Sequence, residues 1–370
     1  MSDDPAAACA HGGAFFDAIG TAFDDLSRRN GVINADVLDA WFPPTPRIVA
    51  RLAPHLEWLI ATSPPTACEG LVRTISEVRG VPEANVLPGA GSSELIYLAL
   101  RRRLGPGDRA LILDPTYGEY AHVLGRVVGC RVERFGMRRD DGYRIDAARF
   151  AERLREGFDF VVVVNPNSPT GAHVDRATLE SAIATAPAAT RFWIDETYVD
   201  YAAQGQSLER FAAASRNVVV CKSMSKVYAL SGVRAAYLTG PADLLADLRG
   251  VTPPWAVGLI AQVAAVEALR DVAYYASRWQ ETHVLRAALA ARLASDLGAE
   301  VVPGVANFVL FHLPAGARAP SEVVQRCRER RLYVRDFPEM ASLAGSALRV
   351  AVKDAETNAR MLSILREAVG

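Results

Sequence analysis

Residues 159–166, DFVVVVNP, decide the fold of this chain. A short β-branched apolar run that ends in turn-forming residues is typical of a buried parallel strand. Comparable runs stand at RALILDP (109–115), RFWIDET (191–197), NVVVCKS (217–223) and AAYLTG (235–240). Alanine- and leucine-rich stretches with helical spacing, such as ATLESAIATA, lie between several of these runs. The alternation predicts βαβ units repeated into a doubly wound, mostly parallel α/β sheet.

The chain has 370 residues, which favours one large domain with a smaller companion. After Pro253 and Pro254 the pattern changes to long helical segments, followed by short strand-like runs at ANFVLFHL and ALRVAVK. We therefore expect a large α/β domain over residues 41–250 and a smaller α+β domain over residues 251–370. Residues 1–40 show little strand pattern, and we expect an N-terminal arm packed on the smaller domain.

Composition excludes several classes of protein. With 50% hydrophobic residues, 22% charged residues and a net charge of -1, no nucleic-acid or acidic-membrane partner is indicated. The sequence shows no apolar run that could span a bilayer and no secretory signal at its start, so we expect a cytoplasmic location. Its five cysteines and six histidines form no C-x-x-C or H-x-x-x-H pair, which predicts neither a disulfide framework nor a metal site.

Lysine is rare in this chain. Of 41 basic residues, only Lys222, Lys226 and Lys353 are lysines. An arginine side chain stays protonated, whereas a lysine amine can be deprotonated by its surroundings and can form an imine. The three lysines therefore suggest a chemical role, although composition alone leaves open that they remain by chance.

Polar residues follow the predicted strands where each strand ends. In open α/β sheets, ligands bind beyond the carboxyl ends of the strands. The polar residues at these ends are Tyr117, Asn165 to Gly171 (NPNSPTG), Asp195, Tyr198, Ser223, Ser225 and Lys226. We expect them to face one crevice.

The segment GAGSSELIYLAL (89–100) places Gly91, Ser92 and Ser93 at the start of a predicted helix. Free backbone N–H groups and the helix dipole make such a start a seat for an anion. An ordinary capped turn, or half of a dinucleotide-binding fingerprint, would have the same local sequence.

The segment SMSKVYALSGVR (223–234) brings two hydroxyls, an amine and a guanidinium to one strand-to-helix bend. A ligand that carries both a phosphate and an aldehyde would use Ser223, Ser225, Lys226 and Arg234 together. Asp195, in an apolar neighbourhood, needs a partner for its charge, and a pyridinium nitrogen would serve. Taken alone, this aspartate could equally be a helix cap or part of a salt bridge.

The ordered motifs resemble those of the fold-type I pyridoxal-phosphate (PLP) enzymes, within the branch of the histidinol-phosphate aminotransferases and threonine-phosphate decarboxylases. They are LPGAGSSELI, DPTYGEY, NPNSPTG, IDETYVDY, SMSKVYALSGVR, PPWAVG, ANFVLF, YVRDF and LRVAV. The resemblance runs from about His11 to the C-terminus. It implies a three-layer α/β/α large domain, pyridoxal 5'-phosphate as the cofactor, and a homodimer with shared active sites.

The resemblance also implies a role for each matching residue. Lys226 would form the internal aldimine (a Schiff base) with the cofactor and then move the proton. Asp195 would pair with the pyridine nitrogen, Tyr198 would hydrogen-bond the ring O3′, and Tyr117 would stack on the ring. The cofactor phosphate would be held by Gly91, Ser92, Ser93, Ser223, Ser225 and Arg234, with Asn167 and Ser168 also at the cofactor.

At the substrate end, the resemblance implies that Arg349 of LRVAV binds the α-carboxylate. Arg335 of YVRDF, with Arg349 and His11, would bind a distal anion, such as a phosphate on the substrate.

Several positions depart from the family pattern. Ser168 stands where the family usually has an asparagine that contacts O3′, and Ser63 stands where it usually has a tyrosine that reaches the partner subunit's cofactor phosphate. His11-Gly12-Gly13 and Pro254-Trp255 look more like the decarboxylase.

We predict a PLP-dependent aminotransferase that acts on an amino acid or an amino-acid phosphate. The alternative is a decarboxylase of the threonine-phosphate type, or a lyase or cyclase on the same scaffold. Another hypothesis is a non-catalytic sensor in which this fold is fused to a DNA-binding domain. We expect no such domain in the residues before the arm. A dinucleotide-dependent oxidoreductase would need a third glycine where Glu94 stands.

Overall fold

The computed structural model describes residues 12–370. Its strands are β1 (Ile33–Asn34), β2 (Val86–Gly89), β3 (Arg109–Asp114), β4 (Arg131–Gly136), β5 (Phe160–Val164), β6 (Arg191–Asp195), β7 (Val218–Ser223), β8 (Ala236–Thr239), β9 (Glu300–Val301), β10 (Phe308–His312), β11 (Leu332–Tyr333), β12 (Arg335–Asp336) and β13 (Ala347–Ala351).

The α-helices are α1 (Phe16–Ile19), α2 (Pro46–Leu52), α3 (Leu56–Ala61), α4 (Glu69–Arg79), α5 (Ser92–Arg103), α6 (Gly118–His122), α7 (Ala147–Leu154), α8 (Arg176–Ile183), α9 (Glu209–Ala214), α10 (Ala242–Arg249), α11 (Leu259–Arg270), α12 (Val272–Leu297), α13 (Pro320–Glu329) and α14 (Ala355–Val369). The long helical segment predicted after Pro254 is thus confirmed as two successive helices, α11 and α12. No helix in the described part of the chain is both long enough and apolar enough to cross a membrane.

The largest sheet in the described part of the chain has seven strands in the order β2-β8-β7-β6-β5-β3-β4. The pairs of β3 with β4 and β5, of β5 with β6, and of β6 with β7 are parallel. The apolar runs predicted as strands all form strands, and the α/β class is confirmed. β5 and β7 are buried along their whole length, because helices cover both faces of the sheet.

One predicted direction was wrong. The run AAYLTG was expected to be a parallel strand, but β8 is antiparallel to both β2 and β7. A short buried apolar run carries no signal of strand direction. The reversal has a consequence for the site, because it brings Arg234, which precedes β8, to the edge where β7 ends.

Two strands of the large sheet were not predicted. β4 is an edge strand with mainly exposed or half-buried side chains and three charged residues, so it lacks the apolar run of an interior strand. β2 is short and contains Pro88. It pairs only with β8, at the opposite edge.

A second, antiparallel sheet has the order β12-β13-β10-β9, and the predicted runs ANFVLFHL and ALRVAVK supply β10 and β13. β1 pairs in parallel with β11. The backbone N–H of Ala351 donates to the carbonyl of Ala35 at 2.9 Å, so the segment after β1 also lies against β13. The three-part division of the chain at residues 40 and 250 stays a prediction.

Candidate active site

The carboxyl ends of β3, β5, β6 and β7 lie at one edge of the large sheet, because these strands run in the same direction. Tyr117 follows β3, Ser168 follows β5, Asp195 ends β6, and Lys226 follows β7. The structure therefore brings the predicted strand-end residues to one edge of the sheet.

The predicted anion seat at the start of α5 lies against Arg234. Gly91 has a φ of 94°, and a Cβ added there would lie 2.3 Å from Nη2 of Arg234. The same guanidinium donates through Nη1 to Oγ of the buried Ser225 at 3.3 Å. A backbone turn, a helix N-terminus, a hydroxyl and a guanidinium thus meet in one place, which suits a phosphate.

Asp195 is buried and accepts three hydrogen bonds, all from neutral donors. Oδ2 accepts from the Tyr120 hydroxyl at 2.7 Å, and Oδ1 accepts from N and Oγ1 of Thr197 at 2.9 and 2.7 Å. Burial raises the pKa of Asp195, while the hydrogen bonds from Thr197 and Tyr120 oppose that rise. These hydrogen bonds hold the carboxylate in position. Because none of the three donors is charged, a cation beside Asp195 would still be stabilised by its negative charge.

Lys226 forms an ion pair that the sequence did not predict. Its Nζ lies 2.9 Å from Oδ1 of Asp39, which belongs to the loop between β1 and α2. Burial lowers the pKa of Lys226, and the negative charge of Asp39 opposes that effect. Burial alone would raise the pKa of Asp39, but the charge of Lys226, hydrogen bonds from Ser231 and Lys226, and the charge of Lys353 together outweigh it and lower the pKa.

Lys222 differs from Lys226, although it lies only four residues away. It is 2% exposed, and its Nζ lies 3.0 Å from Asp200, 3.8 Å from Glu196 and 3.9 Å from Glu209. These three carboxylates stabilise the ammonium ion in the protein interior. Its role is structural, so rarity in the composition does not by itself identify a reactive lysine.

Tyr198, Ser168 and Arg349 lie close together. Tyr198 is buried, burial raises its pKa, and the charge of Arg349 opposes that rise. Arg349 donates from Nη2 to the carbonyl of Asp36 at 3.1 Å and from Nη1 to Oγ of Ser168 at 3.4 Å. Its Nε is buried without a hydrogen-bond partner. Burial lowers the pKa of Arg349 to about 10.

Two predicted cofactor residues are engaged with neighbours in other ways. The Asn167 amide donates to the Pro115 carbonyl and to Thr170, and it accepts from Thr116, so it braces the loops after β3 and β5. The Tyr117 hydroxyl donates to the buried Glu119 at 2.5 Å.

Ser93 at the start of α5 also donates to Glu119, at 3.0 Å. Glu119 thereby joins the predicted stacking residue Tyr117 to the predicted phosphate seat.

Arg335 faces an acid at the distal end of the crevice. Its Nη1 lies 3.9 Å from Oδ1 of Asp36, a buried carboxylate whose other oxygen accepts from the backbone N–H of Gly13. His11, predicted to bind beside Arg335, lies outside the described residues.

Sequence reasoning missed Asp36, Asp39, Glu119 and Tyr120. The acids of DVLDAW, residues 36–41, stand in an otherwise apolar segment, and that contrast is the signal that could have found Asp36 and Asp39. No local signal marked Tyr120, because its partner Asp195 is 75 residues away.

Comparisons with known proteins identify the family and the fold. Residues 64–368 match the family model of aminotransferase class I and II. A histidinol-phosphate aminotransferase of Moorella thermoacetica is 30% identical over 305 residues, covering 81% of this chain and 76% of that protein.

Two solved structures share the fold. The histidinol-phosphate aminotransferase of Sinorhizobium meliloti, solved with pyridoxal-5'-phosphate, has a TM-score of 0.82 at 18% identity and covers 98% of each chain. The L-threonine-O-3-phosphate decarboxylase of Porphyromonas gingivalis has a TM-score of 0.78 at 21% identity, covering 91% of this chain and 99% of that one. At these identities the structural likeness shows the fold alone.

Proposed function

This chain belongs to the aminotransferase class I and II family, and on that premise we propose that Lys226 holds the cofactor and moves the substrate's α-proton. The protein is a PLP-dependent aminotransferase. The observation that carries the assignment is the meeting of a half-buried amine, a buried carboxylate and a half-buried guanidinium near one sheet edge: Lys226, Asp195 and Arg349.

The residues present fit the cofactor. Gly91 leaves free the space in front of Arg234 that a side chain would fill, and the helix start, the serine hydroxyls and the guanidinium form a donor set for a phosphate dianion. At the other end, Asp195 accepts only from neutral donors, which suits a protonated ring nitrogen. Tyr198 and Ser168 would contact O3′.

When bound, pyridoxal phosphate supplies an electron sink that stabilises negative charge on the substrate's Cα. Asp195 would hold a proton at the ring nitrogen. Lys226 Nζ would accept the proton from Cα, and the burial that lowers its pKa makes the neutral amine more available.

Arg349 would hold the substrate's α-carboxylate. Its Nε lacks a partner although it is buried, and its contact to Ser168 at 3.4 Å is long for a hydrogen bond. A carboxylate would satisfy Nε and give a charge-assisted pair, which is stronger than the neutral contacts seen here.

The substrate is an amino acid, and we propose that a distal anion on it would bind Arg335. Such an anion must compete with Asp36, which already lies 3.9 Å from that guanidinium. The competition reduces the preference for a phosphate compared with a site in which Arg335 faced no acid.

We further propose that the protein works in the cytoplasm as a homodimer. Cys68, Cys130, Cys221 and Cys327 are free thiols, which suits a reducing compartment. The segment before Ser63 exposes Val49, Leu56, Trp58 and Ile60 on α2 and α3. Exposed apolar side chains of this kind support a contact with a second copy of the chain. They lie close in sequence to Ser63, where the family usually has the tyrosine that reaches the partner subunit's cofactor phosphate.

The test begins with borohydride reduction of the PLP-loaded protein and peptide mass analysis. The pyridoxyl group should be found on Lys226 and be absent from that position in Lys226→Ala. Attachment to Lys222 or Lys353 would refute the assignment. The protein is then given a panel of amino acids and amino-acid phosphates with 2-oxoglutarate. Formation of the keto acid together with glutamate supports transamination, whereas carbon dioxide without a keto acid would indicate decarboxylation.

A further inference from the structure

The ion pair between Lys226 and Asp39 joins two distant parts of the chain. The residues are 187 positions apart, and Nζ and Oδ1 are 2.9 Å apart. The Lys226 side chain is 19% exposed and that of Asp39 is 35% exposed, so the pair lies at the boundary between the crevice and solvent. An amine there is accessible to small molecules that enter the site.

The loop that carries Asp39 is held from both sides. The carbonyl of Leu38 accepts from the buried Asn307 amide at 2.9 Å. The indole of Trp41 donates to Thr282 at 2.8 Å. Because residues on either side of Asp39 are anchored to α12 and to the residue before β10, we expect the carboxylate to stay in place when Lys226 moves.

The charges around Lys226 make Asp39 its counter-ion. Arg234 and Arg349 both act on Lys226 as like charges, and Lys353 is a further cation that interacts with both Lys226 and Asp39. Lys226 therefore experiences three other positive charges, and its ammonium ion pairs with the half-buried carboxylate of Asp39. Without that carboxylate, those three charges would disfavour an ammonium ion at Lys226.

We propose that Asp39 is a positioning residue of this enzyme: while Lys226 is not bonded to the cofactor, the Asp39 carboxylate receives and holds its amine whenever that amine carries a proton. The proposal rests on the assignment of Lys226 as the cofactor lysine. A freed lysine needs a defined place from which it can return, since a misplacement of about 1 Å can cost a hundredfold in rate. Asp39 provides that place.

The same pair sets how readily Lys226 loses its proton. The carboxylate stabilises the ammonium form, so its removal should lower the pH at which the neutral amine appears. Asp39→Asn keeps the size and the polarity of the side chain and removes only the charge. Asp39→Glu keeps the charge, and Asp140→Asn removes a charge from an exposed surface residue remote from the site.

The small number of lysines makes the test clear. Full-length protein freed of cofactor, with folding checked by circular dichroism, is labelled by reductive methylation at a series of pH values. Peptide mass analysis then follows Lys222, Lys226 and Lys353 separately. Lys222 is the internal reference, because it is buried in its own carboxylate cluster and should stay unlabelled.

We expect the labelling midpoint of Lys226 to fall by about one pH unit or more in Asp39→Asn, so that labelling below the midpoint is about tenfold faster. It should be near the wild-type value in Asp39→Glu and unchanged in Asp140→Asn. An unchanged midpoint in Asp39→Asn overturns the proposal.

Borohydride reduction of the same variants separates this result from the proposed function. If the midpoint shifts but the cofactor is reduced onto another lysine, the ion pair stands, while the cofactor role of Lys226 and the positioning role of Asp39 both fall. If the cofactor is on Lys226 and the midpoint does not shift, only the role of Asp39 falls.

Discussion

Tyr120 donates its hydroxyl to the buried carboxylate of Asp195 across 2.7 Å, and it accepts a hydrogen bond from Nε1 of Trp193 at 2.8 Å. Because the Trp193 N–H can only donate, it leaves the tyrosine proton directed at Asp195. The three side chains therefore form a chain of hydrogen bonds that favours the ionised form of the carboxylate.

Tyr120→Phe should weaken PLP binding. The variant removes one of three hydrogen bonds to Asp195, so burial would raise its pKa further. We expect a loss of about 1 to 3 kcal/mol in the free energy of cofactor binding. Titration of cofactor-free protein with PLP measures it. Tyr274→Phe, which removes a hydroxyl bonded to the Pro43 carbonyl away from the site, is the control. Equal affinity in the two variants would count against the role of the chain.

Gly91→Ala should lose the cofactor, whereas Gly107→Ala should keep it. Both glycines have positive φ, 94° and 91°, so both variants suffer similar backbone strain. Only at Gly91 would the added Cβ meet Arg234, at 2.3 Å, while nothing lies within 4 Å at Gly107. We expect at least a tenfold weaker Kd for PLP in Gly91→Ala alone. A similar Kd in both would show that Arg234 is not part of the phosphate seat.

Replacement of Lys222 and Lys226 by methionine should have opposite consequences. Lys222→Met leaves Asp200 and Glu209 with Arg79 as their remaining cation and removes the cation beside the buried Glu196. The free energy of unfolding should therefore fall by about 3 kcal/mol. Lys226→Met should abolish transamination with little change in stability, because its site is partly open to solvent. Urea unfolding and an activity assay measure the two effects. A stable but inactive Lys222→Met would contradict the structural role.

Loss of the proton from Glu196 should lower the free energy of unfolding as pH rises from about 4.5 to about 7. Burial raises its pKa from 4.5 to about 7, and Lys222 only partly opposes this. Between these values the folded protein binds more protons than the unfolded chain. The stabilising contribution is complete below about 4.5 and is lost as pH rises through about 7.

The expected loss is about 3 kcal/mol, from 1.36 kcal/mol per unit of pKa shift. Urea midpoints measured across this range should show a smaller decline in Glu196→Gln than in wild type. Glu57→Gln, an exposed position on α3, should leave the decline unchanged. A wild-type curve that is flat over this window would contradict the prediction.

Asp36→Asn and Arg335→Ala should change the preference for phosphorylated substrates in opposite directions. Loss of the acid removes a carboxylate that competes with a distal phosphate for Arg335, so KM for an amino-acid phosphate should fall about tenfold relative to the matching unphosphorylated amino acid. Arg335→Ala should raise that KM. An unchanged affinity for phosphorylated substrate in Arg335→Ala would refute a distal-anion site there.

The sequence by itself determined the fold class and the edge at which the site lies. Buried runs such as FVVVV in β5 must be covered on both faces, and polar residues such as Asp195 follow the strands where a parallel sheet leaves its ligand crevice. These are local patterns, so they can be read without coordinates.

The tertiary structure alone decided strand direction and ion pairing. The antiparallel β8 brings Arg234 to the proposed phosphate seat, and an apolar run has the same sequence pattern in either strand direction. Asp39 reaches Lys226 across 187 positions because the surrounding loop is anchored to distant residues such as Asn307. Such contacts depend on how separate elements pack, and no spacing within the sequence encodes that.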